Sequence, residues 1–128
     1  MKNFPILITL LLFTACGPIE KESLSIQGEW KDVNGNAFEH CTANFYQVGD
    51  SIFFNHFLTW NGKPFFEKGS GIIKGDSVLY QVDVLYGIEG WSTAGDHALK
   101  LSADGNTLEG SYKDNTGNSG PLKFKRVR

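Results

Sequence analysis

From residue 26 onward the chain alternates between apolar and polar positions with a period of two, and almost nowhere with the period of a helix. SIFFNHFLTW (51–60) and SVLYQVDVLY (77–86) are the clearest stretches, rich in β-branched and aromatic residues. Gly, Asn and Asp pairs punctuate such runs at Asn34-Gly35, Gly49-Asp50, Asn61-Gly62, Gly75-Asp76, Gly95-Asp96 and Asp104-Gly105-Asn106. Their spacing of about 8–12 residues is that of an all-β fold. The pattern predicts strands over 26–32, 37–48, 51–60, 63–74, 77–86, 88–93, 97–102, 107–113 and 120–127. Short links make sequential strands antiparallel neighbours. A meander of about eight strands can split into a sandwich or flattened barrel, or it can close on itself and lose both edges. With no helix predicted to cover a face, closure into a small barrel is the expected solution.

Three two-residue turns fix the register of the middle of the chain. Across Gly49-Asp50, Phe45 meets Phe54 and Ala43 meets His56. Across Asn61-Gly62, His56 meets Glu67 and Leu58 meets Phe65. Across Gly75-Asp76, Glu67 meets Val84 and Gly69 meets Val82. One face then gathers Cys41, Phe45, Phe54, His56, Trp60, Phe65, Glu67, Gly69, Gly71, Tyr80, Val82 and Tyr86, and it is the apolar one. Lys68, Ser70, Gln81 and Asp83 fall on the opposite face, together with Phe53, Phe57 and Phe66. Gly69 and Gly71 mark a sharp bend or close approach, or leave room for a ligand.

His56 and Glu67 are therefore expected as cross-strand partners on an oily face, where a His–Glu pair favours the doubly charged form if attraction outweighs desolvation. Two readings follow. In the first, the couple is a polar foothold in a ligand cavity walled by Trp60, Phe65, Tyr80 and Tyr86, the mixture typical of small-molecule sites. In the second, it is a structural or surface pair of little energetic consequence. His40 and His97 read as solvated, and the scattered histidines give no metal site. Neither a G-x-S-x-G elbow nor a phosphate-binding loop is present, and Asp104-Gly105-Asn106 lacks the later ligands of a calcium loop. No cofactor is implied, and the enzyme question stays open, leaning towards no activity. The alternative to a ligand-holding barrel is a filled one, serving as a structural or protein-interaction module through the outward Phe53, Phe57 and Phe66.

The first residues change the picture. Lys2 precedes a ten-residue apolar run, Phe4–Phe13, too short against the roughly 20 residues of a membrane-spanning helix. It has the shape of a secretory signal. Phe13-Thr14-Ala15-Cys16 resembles the lipobox of bacterial lipoproteins, departing from it in having Phe where Leu is usual. The resemblance implies cleavage before Cys16, a diacylglyceryl group on its thiol and a further acyl chain, such as palmitate, on its amine. More than one chain suffices for stable anchoring. Residues 1–15 are then a signal peptide, 16–25 a tether and 26–128 the β domain. Gly17 after the cysteine implies outer-membrane sorting by the enterobacterial pattern, and Glu20-Lys21-Glu22 faintly resembles surface-export signals. The expected address is the bacterial cell envelope, facing periplasm or exterior, with the membrane and an envelope protein as partners.

Removing Lys2 with the leader leaves 11 basic against 14 acidic residues, a net charge of −3. No basic run points to a nucleic acid. If Cys16 is lipidated, Cys41 has no disulfide partner.

Two further stretches carry a family resemblance. Gln27-Gly28-Glu29-Trp30 resembles the G-x-W start of lipocalin-like barrels, and LSADGNTLEGSYKDNTGNSGPLKFKR (101–126) resembles the closing strands of small bacterial calycin-like β domains. Those domains occur as lone lipoproteins and beside some secreted serine hydrolases. The resemblance covers about a third of the chain. It implies that Trp30 plugs one barrel end with Arg126 over its ring, a cation–π contact.

Overall fold

The computed structural model describes Gly17, residues 24–35 and residues 38–127. The leader, Cys16 and most of the tether lie outside the described residues. Eight strands follow one another: β1 (Gly28–Asp32), β2 (Phe38–Val48), β3 (Ser51–Trp60), β4 (Lys63–Lys74), β5 (Ser77–Tyr86), β6 (Ala94–Leu101), β7 (Thr107–Asp114) and β8 (Ser119–Arg126). Every neighbour in sequence is an antiparallel neighbour in space, and β1 pairs with β8 through Trp30–Arg126 and Asp32–Phe124 to close the barrel. This is the antiparallel meander expected, and it is consistent with the lipocalin-like fold class. The predicted strand over 88–93 is absent. Residues 87–93 form a loop turned by a bond from the Trp91 amide to the Ile88 carbonyl (3.0 Å), and β6 starts at Ala94.

The tight turns set the register as their chemistry requires. Asn61 and Gly62 both take positive φ (47° and 73°), and Gly49 and Gly75 do so at the first turn position. Phe45–Phe54, Ala43–His56, His56–Glu67, Leu58–Phe65, Glu67–Val84 and Gly69–Val82 are all Cα partners. Two bulges break the pattern. The first lies between Glu39 and Thr42, where His40 takes φ 52°. In the second, Phe66 pairs with Tyr86 while Glu67 pairs with Val84, so Leu85 is an extra residue. That extra residue reverses the alternation, and Tyr86 sits on the outer face, 61% exposed, rather than on the inner wall expected of it.

Gly69 and Gly71 serve close approach and do not make room for a ligand. A Cβ on Gly69 would collide with the Gln81 carbonyl and the Val82 side chain, and one on Gly71 with the Leu79 carbonyl and the Tyr80 backbone. Strand β4 can coil tightly against β5 only because both positions lack a side chain.

The interior is stratified along the barrel axis. At one end Ile26, Trp30, Phe45, Ile52, Leu108 and Phe124 belong to a continuous packed core. Trp30 is fully buried, donates its indole N–H to the Ile26 carbonyl (2.8 Å) and meets Phe45 edge-on. The Arg126 guanidinium lies 4.4 Å from the Trp30 ring centroid, the contact the family resemblance implies. Its nitrogens donate to the carbonyls of Gly105 (2.8 Å), Gln27 (2.7 Å) and Ser25 (2.6 Å), which ties the β6–β7 turn and the entering chain to the closing strand. At the other end a smaller cluster of Leu58, Phe65 and Ile88 packs with Phe38, Cys41, Trp60, Val84 and Trp91. Between the two clusters lies a polar layer.

Candidate ligand-binding site

Strand alternation builds the polar layer. On β3, Phe54 belongs to the packed end and Leu58 to the smaller cluster, which leaves His56 between them. On β4, Glu67 stands directly opposite His56, one alternation beyond Phe65. Asp32 ends β1 two residues after Trp30, so it shares that residue's inward face. The three side chains form a line. Glu67 Oε1 is 3.2 Å from His56 Nδ1, and Asp32 Oδ2 is 3.5 Å from His56 Nε2. Each side chain in the line is at least nine-tenths buried.

Only the doubly protonated imidazole has a donor for each of these carboxylates; a neutral ring turns a lone pair towards one of them. Asp32 is held from behind, since its Oδ1 accepts bonds from the Asn34 amide (2.8 Å) and from Asn34 Nδ2 (2.6 Å). Asn34 in turn reaches the Lys123 carbonyl on β8 (3.2 Å). The turn after β1 therefore orients the carboxylate that His56 meets.

His97 completes the layer. It was expected in solvent, but it shares the inward face of β6 with Leu99 and Leu101 and is 8% exposed. Burial pushes its pKa below the ordinary histidine value; the His56 ring acts in the same direction, against the nearby carboxylates. Its Nδ1 has no hydrogen-bond partner among the described residues, and neither has the Tyr80 hydroxyl nor His56 Nε2, whose approach to Asp32 at 3.5 Å is an ion-pair contact and not a hydrogen bond. Tyr80 packs edge-on against His97 (4.8 Å between centroids). Burial first, then Glu67 and Asp32, hold its phenol protonated far above the usual range.

Above this layer the barrel is open. A cavity of about 710 Å³ runs from His56, Glu67, His97 and Asp32 past Val82, Leu58 and Phe65 to a mouth formed by Trp91, Phe38 and the β7–β8 turn. Trp60 meets Trp91 with its ring tilted by 57° (5.2 Å between centroids), and Phe65 meets the same indole at 5.6 Å. The mouth is braced where Thr93 and Asn115 exchange bonds between the β5–β6 loop and the β7–β8 turn. At the rim Asp114 accepts bonds from Thr116 and Asn118. Desolvation raises its pKa, but those bonds outweigh it and hold the carboxyl at about 2.

Of the six ligand-site residues expected from the sequence, His56, Glu67 and Phe65 line this cavity. Trp60 supports the wall from behind, Tyr80 belongs to the packed core below the floor, and Tyr86 points outward. Asp32, His97, Trp91 and Phe38 were missed. Alternation already placed Asp32 with Trp30 and His97 with Leu99, so two of the four were there to be found.

The chemistry on offer is recognition by fixed charge and hydrogen bonding. The half-buried Cys41 thiol has its pKa raised to about 11, by desolvation first and then by the Asp32 charge, the opposite of an activated nucleophile. Among the described residues no group of three or more His, Cys, Asp or Glu side chains is arranged to hold a metal ion. No protein-family model matches the chain, and no curated protein matches it. Its class rests on strand order, register and this cavity.

Proposed function

We propose that the protein is a lipid-anchored envelope protein whose barrel holds a small amphipathic molecule at its open end. The observation that carries the binding reading is the placement of His56 and Glu67. They form the floor of an open cavity of about 710 Å³ instead of lying on the outer surface or within close-packed side chains. A cavity of this size is in the range that small-molecule sites occupy, and its apolar walls with a few fixed polar groups are the usual composition. The lipobox-like Phe13–Cys16 segment supports the anchor. Ile26 enters the barrel at the Trp30 end, so a tether attached there leaves the mouth clear at the opposite end.

Two experiments test this reading. The neutral dye N-phenyl-1-naphthylamine should brighten when mixed with the protein. Val84→Trp, which enlarges an inward side chain of the cavity wall beside Glu67, should abolish the signal, whereas Leu79→Ala on the exposed outer face should leave it unchanged. Equal dye response in both variants would refute the cavity as the binding place. For the anchor, Cys16→Ser should move the protein from the membrane fraction to the soluble one; no change would refute lipidation at that residue.

A second reading has its own observation. Phe53 and Phe57 are 50% and 42% exposed, with Tyr46 and Tyr86 also outward, an apolar outer surface suited to a protein partner. Replacing Phe53 and Phe57 by Ser would then cost association in pull-down from envelope extracts while leaving dye binding intact.

A further inference from the structure

The cavity's charge is one-sided. Among the described residues its lining contains the carboxylates of Asp32, Glu67 and Asp114, and no lysine or arginine. The cations nearest in sequence to these groups, Lys31, Lys68 and Lys113, are exposed on the barrel exterior. Even with His56 carrying a positive charge, the three carboxylates leave the lining negative; with the ring neutral it is more so. An anionic occupant would meet a lining of the same net sign in a poorly solvated space, and a purely apolar one would strip solvent from carboxylates without replacing it. The floor also offers acceptors in search of donors. His97 Nδ1 is buried and unpartnered, and in the tautomer that carries its proton on Nε2 it is an acceptor. On the wall above stand Phe65 and Trp91, flat apolar surfaces beside the acidic floor, and an indole face attracts organic cations as well as apolar bodies.

We infer that the occupant is a small organic cation, an amine or amidine whose N–H groups point to the Glu67–His56–Asp32 floor and whose apolar or aromatic body lies against Phe65 and Trp91. This rests on the ligand-binding reading above and adds the chemical class. An N–H cation fits better than a quaternary ammonium, because the floor presents hydrogen-bond acceptors as well as negative charge.

Three molecules sharing an indole body separate the alternatives: tryptamine, the neutral tryptophol and the anionic indole-3-propionate, each titrated into the native protein by calorimetry at pH 7. Tryptamine should bind at least tenfold more tightly than tryptophol, and indole-3-propionate more weakly than either. Glu67→Gln should reduce tryptamine affinity at least tenfold and change tryptophol binding less than threefold. Asp32→Asn is the second variant should Glu67→Gln lose its cooperative melt. Tryptophol or the acid binding as tightly as the amine would overturn the cation proposal. So would failure of all three to bind while N-phenyl-1-naphthylamine still enters, with the cavity reading left standing. If the dye is excluded as well, the cavity reading falls and the cation proposal with it.

Discussion

Replacing His56 by Leu probes the polar layer most sharply. The substitution conserves volume roughly, so it opens little space; what it removes is the group between two carboxylates. Glu67 loses its partner at 3.2 Å and Asp32 loses its neighbour at 3.5 Å, in side chains 9% and 5% exposed. Breaking a buried ionic contact by deleting one partner costs about 3–5 kcal/mol, because the charge left behind is uncompensated. Glu67→Leu should cost less, about 1–3 kcal/mol, since His56 keeps Asp32. The double variant His56→Leu/Glu67→Leu removes both members. Asp32 then retains its bonds to Asn34, and the variant should return to within about 1–2 kcal/mol of the native protein. The coupling, the summed single costs less the double, should thus be about 2–7 kcal/mol. Urea unfolding followed by tryptophan fluorescence reads all four proteins; at a slope of about 1–3 kcal/mol per molar urea, the single His56 variant should unfold at least 1 M earlier. Additivity within about 0.5 kcal/mol, or a His56→Leu cost below about 1 kcal/mol, would show that the couple is already solvated and that the reasoning is wrong. A double variant that is stable yet no longer binds ligand would show that the layer serves recognition and not folding.

Three further outcomes are expected. Burial lowers the His97 pKa below 6.5, so its contribution to stability is complete above pH 6.5 and is lost as pH falls towards the depressed folded value. His97→Phe should therefore flatten the acid limb of the stability curve by up to about 1.4 kcal/mol per pH unit in that window, and an unchanged slope in urea melts at pH 7.5, 6.5 and 5.5 would contradict this. Arg126→Met keeps much of the apolar stem over Trp30 but strips three carbonyls of their donor, and should lower stability by about 2–3 kcal/mol, with Arg126→Lys recovering less than half. Gly71→Ala forces a methyl group into the Leu79 carbonyl and should cost about 1–3 kcal/mol, whereas Gly71→Ala with an unchanged thermal midpoint would mean β4 and β5 are further apart than described.

Much of the barrel was legible because turn chemistry and alternation are local. Asn61-Gly62 and the two Gly-Asp turns fix pairing within two residues, and from them the His56–Glu67 partnership follows without any knowledge of the whole. What stayed hidden depended on exceptions to alternation or on distant elements. One extra residue, Leu85, turned Tyr86 outward, and nothing in VLYGIEG announces a bulge. The loop carrying Trp91 reads as a short strand because Ile88 and Trp91 are both apolar, yet its backbone is turned by its own Trp91–Ile88 bond and its indole closes over Phe38, Trp60 and Phe65. Asp32 meets His56 only because β1 closes the barrel between β2 and β8, a consequence of topology that no two-residue turn encodes. The stratification into a sealed Trp30 end and an open Trp91 end is likewise a property of the closed sheet.

Everything proposed for this barrel turns on the His56 ring, bonded to Glu67 and facing Asp32, as the floor of a cavity that a small molecule occupies. The most direct measurement is a long-range proton–nitrogen NMR spectrum of the His56 ring, recorded while tryptamine is added. Ring N–H protons should be shielded from exchange in the free protein, and the His56 nitrogen resonances should move saturably with the amine while those of the exposed His40 do not. A His56 ring in fast exchange with water, unmoved at saturating amine, would contradict this.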